Sequence, residues 1–235
     1  MMRRAMRRLR GDESGLSLAE LLVSGLLTIA IMAMIGTMFI QTAKITANST
    51  QTSKSNNIAS NIANEVTSVI RVATTNPRSG ATLPDPAVLV GSSQESLTIY
   101  ALSNTSANTP APSRITFTVV PGSTTVETRS VTEQICTATA SGGFWVFSTC
   151  GSTVNRNLGG AVQPLTGVND QFFTYYTDTA GLNPILIGTG SLTDAQCRTV
   201  AAIRVYVGVK ASGSQTKTTV ISNLVVLGNL GLEDL

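Results

Sequence analysis

Hydrophobic positions follow three different rules along this chain. From Leu16 to Ile40 they are almost continuous. Residues 21–40 (LLVSGLLTIAIMAMIGTMFI) hold no charge and no proline, and a run of that length is enough to cross a bilayer as a helix. Residues 46–57 (TANSTQTSKSNN) are then polar all round with mediocre helix propensity, which predicts a solvated or locally loosened join. Gly25 and Gly36 offer two further places to loosen the apolar half. A weaker apolar stripe follows at Ile58, Ile62, Val66, Val69 and Ala73, in steps of 4, 4, 3 and 4. Those steps keep one helical face apolar. No proline interrupts before Pro77, so residues 17–73 are expected to form one long helix whose second half docks on a sheet.

Beyond Asn76-Pro77, Gly80, Pro84 and Pro86, which mark a loop, the period changes to two. Strands are expected at Leu97–Leu102, Arg114–Val120, Thr124–Thr137, Gly143–Thr149, Val168–Thr177, Thr199–Val209 and Gln215–Leu227, with a Ser/Asn/Pro loop over 103–113. Thr124–Thr137 and Gly143–Thr149 flank Ala140-Ser141-Gly142-Gly143 and are expected to form a hairpin. The resulting class is α+β, a helical spine packed on an antiparallel sheet.

Charge gives the first segment an orientation. Arg3, Arg4, Arg7, Arg8 and Arg10 precede the apolar run and Lys44 is the first cation after it, so the positive-inside rule puts the N-terminus in the cytoplasm and everything past residue 40 outside. Five arginines less Asp12 and Glu13 account for +3, the whole formal charge of the chain. Residues 16–235 hold 16 − 5 = 11 basic and 13 − 2 = 11 acidic groups and are formally neutral. The basic balance therefore belongs to the first 15 residues, and no direct nucleic-acid partner is expected. A carboxylate at Glu20, just inside the apolar run, is costly in lipid and so points to a function.

Gly15-Leu16-Ser17-Leu18-Ala19-Glu20 resembles the processing site of type IV pilins and pseudopilins. Leu16, Ser17 and Ala19 depart from the commonest form, whereas the glycine before the cut and the glutamate five residues after it are both present. The resemblance implies removal of residues 1–15 by a prepilin peptidase cutting between Gly15 and Leu16, N-methylation of Leu16, and an assembly role for Glu20. An A-x-A-type secretory signal fits poorly, because the apolar run is too long. An uncleaved signal anchor explains the length and the basic flank but not Gly15 and Glu20. The second half is similar in element order to the globular domain of minor pilins: aromatic Phe172-Phe173-Thr174-Tyr175-Tyr176, then Asp178 and Gly181, then two late strands.

Three domains are thus expected: a leader at 1–15, a helix at 16–73 with its membrane segment at about 18–40, and an extracytoplasmic β-rich domain at 74–235. The chain has no histidine, which removes imidazole bases, Ser-His and Cys-His pairs and histidine metal sites. No CxxC spacing occurs, so no zinc or other cofactor is expected, and no enzymatic activity. Cys136 and Cys150 lie seven residues either side of Gly143 in the expected hairpin. A bridge between them would close a loop of about 15 residues and leave Cys197 as an odd thiol, buried or available to a neighbour. Asp178-Thr179-Ala180-Gly181-Leu182-Asn183 loosely suggests a calcium loop, but an Asp/Gly/Asn turn is the expected use. Period two puts Trp145 and Phe147 on one face, where core packing is expected ahead of a binding surface.

These features suit a structural subunit, a minor pilin or pseudopilin of a type IV pilus or type II secretion-like filament. Its expected partners are the prepilin peptidase, other pilin subunits, the inner-membrane assembly machinery and the membrane. It would begin as a single-pass protein of the cytoplasmic membrane and end in a surface or periplasmic filament. A membrane-anchored extracytoplasmic binding module that never polymerises is the alternative.

Overall fold

A computed structural model describes residues 17–104, 111–121, 129–151, 153–163, 171–188, 190–210 and 218–228. Gly15 and Leu16 lie outside them, as do residues 124–128, 168–170 and 215–217 of the expected strands. The elements run α1 (Leu18–Arg71), β1 (Ser96–Asn104), β2 (Ala111–Val120), β3 (Ser130–Thr137), β4 (Thr139–Ser141), β5 (Phe144–Val146), β6 (Thr153–Gly159), β7 (Phe173–Tyr176), α2 (Asp194–Thr199), β8 (Ala202–Val209) and β9 (Thr219–Val226). The class is α+β, as expected. The chain divides into two compact units, before and after Ser49–Thr50.

α1 is uninterrupted through Gly25, Gly36 and the polar stretch 46–57, which is mostly exposed, so the expected join is solvated and keeps helical backbone. Every residue from Ser17 to Thr50 is exposed, including Leu18, Leu21, Leu22, Leu26, Ile29 and Met32. Residues 18–40 rise about 35 Å, enough for a hydrocarbon core of about 30 Å. The helix is thus long and apolar enough to span a membrane. Its hydroxyls turn back onto the backbone: Ser24 donates to the Leu21 carbonyl, Thr28 to Ser24, Thr37 to Met34 and Thr42 to Met38, at 2.8–3.1 Å. Such bonds leave these hydroxyls satisfied where no water is present.

In the second unit the stripe lands as its spacing predicts. Ile62, Val66, Val69 and Ala73 are buried and Ile58 packs against the same core, joined by Ala59, Ala63 and Ile70. Two antiparallel sheets complete that core. One has the order β1-β2-β3-β6 and the other β7-β8-β9. Alternation sends Leu97, Ile99, Ile115, Phe117, Val119 and Val131 inward from the first sheet and Phe173, Tyr175, Ile203, Val205 and Val207 inward from the second. Phe173 N–H donates to Gln94 O at 2.9 Å, and the buried Tyr175 hydroxyl donates to Ser93 O at 2.9 Å, which ties the second sheet to the start of β1.

The expected hairpin needs correction. β3 does not pair with residues 143–149; it pairs with β6, Cys136 opposite Thr153 and Glu133 opposite Arg156. Between them β4 and β5 form a separate short ribbon around Gly142 and Gly143, both with positive φ (60° and 84°). A two-residue turn with φ > 0 at both positions is the I′ pattern that glycines supply without strain. β6 and α2 have no counterpart among the expected elements, and the 103–113 loop is shorter, since β1 runs to Asn104 and β2 begins at Ala111.

At its far end β6 meets α1 closely. A Cβ on Gly159 would stand 2.7 Å from Ile58 Cγ2 and 3.2 Å from Ile62 Cδ1. A side chain at this position would force Ile58 or the strand to shift.

Candidate functional site

Glu20 sits in the first turn of α1. Its Oε2 accepts the Ser17 backbone N–H at 3.1 Å, while Ser17 Oγ accepts the Ala19 N–H at 3.3 Å. This is the reciprocal pattern of a capped helix start, in which a side chain from the first turn reaches back to an otherwise orphaned N–H. The S-x-x-E spacing carries that signal in the sequence, and reading it only as part of a processing motif misses the cap. The same carboxylate therefore holds the start of the helix within one chain. It is the one acid in a stretch whose other polar groups are self-satisfied.

Cys136 and Cys150 form the disulfide, with Cα atoms 5.2 Å apart. Its setting differs from a hairpin crosslink. It closes the excursion that carries the β4–β5 ribbon, reinforced by Gly151 N–H donating to Thr137 O at 2.9 Å. Cys197 is free and buried on α2, and burial pushes its thiol up to about 11. The helix that holds it starts with a capping box in which Thr193 and Gln196 bond reciprocally, a T-x-x-Q signal legible in the sequence.

Asp178 is used by its own turn. Its two oxygens accept the N–H groups of Leu182 (3.0 Å) and Asn183 (2.6 Å), and these backbone donors, Leu182 foremost, lower its pKa. Gly181 turns there with φ 72°, and a Cβ on it would meet Leu224 Cδ2 at 2.9 Å. Among the described residues no three His, Cys, Asp or Glu side chains come together as a metal site would need.

Trp145 and Phe147 lie close together, though not in the main core. Phe147 is buried with Tyr100 and Cys136 in a second, smaller cluster, its ring centroid 4.8 Å from that of Tyr100. Trp145 is only half-buried. Together with Phe144, Arg78, Asp85 and Arg114 these aromatics line a cleft of about 550 Å³, within the range of small-ligand sites. Expecting plain core packing for Trp145 misses this. The loop 76–85 supplies the opposite wall, and sequence spacing gives no hint of that approach.

A scan against protein-family models finds no match, and a search of curated proteins finds no significant one.

Proposed function

We propose that this chain is a minor pilin or pseudopilin, a structural subunit of a type IV pilus or type II secretion-like filament. The observation that carries the proposal is the long helix that is apolar and exposed through residues 18–40, opened by the Gly15–Glu20 motif. Such a surface has two stable settings, lipid or other helices like itself.

The proposed cycle uses both. The precursor sits in the cytoplasmic membrane with its arginine-rich leader inside and residues 50–235 outside. A prepilin peptidase cuts after Gly15 and the new Leu16 amine is methylated. The assembly machinery then draws the helix out of lipid into a bundle of equivalent helices. Because lipid and helix surfaces are about equally apolar, close packing and the pairing of polar groups decide the register. The Leu16 amine of a neighbouring subunit is the cation that offsets the Glu20 carboxylate. A buried ion pair adds little net stability, and its best-attested use is fixing register.

Intact mass and N-terminal sequencing of the protein from its native membrane test the proposal. They should show a methylated Leu16 as the first residue. A native mass that still includes residues 1–15 overturns it. The aromatic cleft favours one second reading, a membrane-tethered binding module that does not polymerise.

A further inference from the structure

The cleft beside the ribbon lies against the smaller cluster of Tyr100, Cys136 and Phe147, outside the main core. Its floor is Tyr100 on β1 and Arg114 on β2; one wall is Ser141, Phe144 and Trp145 of the ribbon, the other Arg78 and Asp85 of the preceding loop. The ribbon wall is fixed at two points, by the Cys136–Cys150 bridge at its base and by Asn76 Nδ2 donating to Trp145 O at 3.3 Å. Asn76 is itself 2% exposed, and its Oδ1 is buried without a hydrogen-bond partner among the described residues.

Charge in the cleft is unbalanced. Arg78 pairs with Asp85 at 3.3 Å. Arg114 has no carboxylate among the described residues: its Cζ lies 5.7 Å over the Phe147 ring, and its Nη2 faces Cys136 Sγ and Cys150 Sγ at 3.8 and 3.9 Å. Two guanidiniums against one carboxylate leave a net +1. A half-buried guanidinium without an anion, aimed among aromatic rings, suits one carboxylate carried on a flat, hydroxylated body. The aromatics offer faces for stacking, while Asp85 offers an acceptor for hydroxyl donors. A phosphate would call for a cluster of N–H donors or several free cations. An extended peptide would call for an open strand edge. Among the described residues the cleft shows no such cluster, and on the outer edge of β5 the Trp145 carbonyl is already taken by Asn76 Nδ2.

We propose that this cleft binds an acidic sugar, a uronic- or sialic-acid-type residue, with Arg114 meeting its carboxylate and Trp145 stacking on its ring.

The chain contains a single tryptophan, so Trp145 fluorescence reports the site directly. The full chain in detergent micelles is titrated with galacturonic acid, N-acetylneuraminic acid, galactose and acetate. At least one acidic sugar should give a saturable change in emission, with an affinity at least about tenfold above that for galactose, the discrimination expected of one charge-assisted hydrogen bond. Acetate should give none. Arg114→Gln should reduce acidic-sugar binding to the galactose level. Asp85→Asn, which raises the net charge of the cleft and keeps a hydrogen-bonding group, should tighten it, so the proposal does not depend on one variant folding. Binding of both acidic sugars no tighter than galactose, a saturable response to acetate, no response to either acid, or weaker binding by Asp85→Asn would each overturn it. None of these outcomes depends on whether the helix assembles.

Discussion

Glu133 is the least expected residue of the interior. It points inward from β3 between Val131 and Ile135 and is 1% exposed. Arg156, opposite it on β6, pairs with it and reaches on to Glu65 of α1, so one guanidinium links strand, strand and helix. Burial, the largest cause, raises the Glu133 pKa above its ordinary value of 4.5, and Arg156 opposes the rise. A raised carboxyl pKa means that the folded state keeps its proton to higher pH than the unfolded chain. The cost of Glu133 is then absent below the unfolded pKa and grows as pH rises through the folded one. Arg156→Ala removes the opposing partner and lifts the folded pKa further. Its destabilisation should be slight at about pH 4 and reach about 2 kcal/mol at about pH 8, less than for a fully buried pair because Arg156 is half exposed. Denaturant unfolding at the two pH values reads this; an equal loss at both would contradict it. Cys197 supports a second test at this scale. Because it is buried with its thiol pushed up to about 11, iodoacetamide at neutral pH should label no cysteine in the native protein. After unfolding without reductant it should label one, mapped to Cys197. Labelling of Cys136 or Cys150 would contradict the bridge.

Among the elements, those with strong periodicity are legible in the sequence. The α1 stripe, β1, β2 and β8 fall within a few residues of their expected positions. β6 is not, because Thr153–Gly159 is a polar, mostly exposed edge strand that becomes a strand only through pairing with β3. The symmetrical spacing of Cys136 and Cys150 about Gly143 gives the pair that forms, yet the hairpin it presumes is not the one present. The two glycines turn a three-residue ribbon, and the bridge closes its base. Gly159 likewise carried no visible signal, since close approach to Ile58 is a property of the packed pair. Gly159→Ala should destabilise the full chain by about 1–3 kcal/mol, the usual cost of overpacking, read as a lower Tm by circular dichroism. Ile58→Leu, which moves the branch away from Cβ at nearly constant volume, should recover part of the loss in the double variant. Simple additivity of the two changes would contradict a contact between them.

At the scale of the molecule, the two units follow different physical rules. The described residues between 50 and 228 bury a continuous apolar core from helix and sheets, whereas residues 18–40 bury nothing and depend on lipid or neighbours. Glu20 is where these requirements meet, as a cap within one helix and as the proposed partner of the Leu16 amine in the next subunit. Two variants separate those roles. Glu20→Gln keeps an acceptor for the Ser17 N–H and loses the charge; Glu20→Ala loses both. The deciding measurement is the ratio of sheared surface fraction to membrane fraction, by immunoblot, in cells carrying the whole assembly machine. Wild type should be recovered in sheared filaments, and both variants should remain in the membrane at normal levels, cleaved but not incorporated. Wild type confined to the membrane, or variants incorporated as well as wild type, would contradict assembly through this helix and its carboxylate.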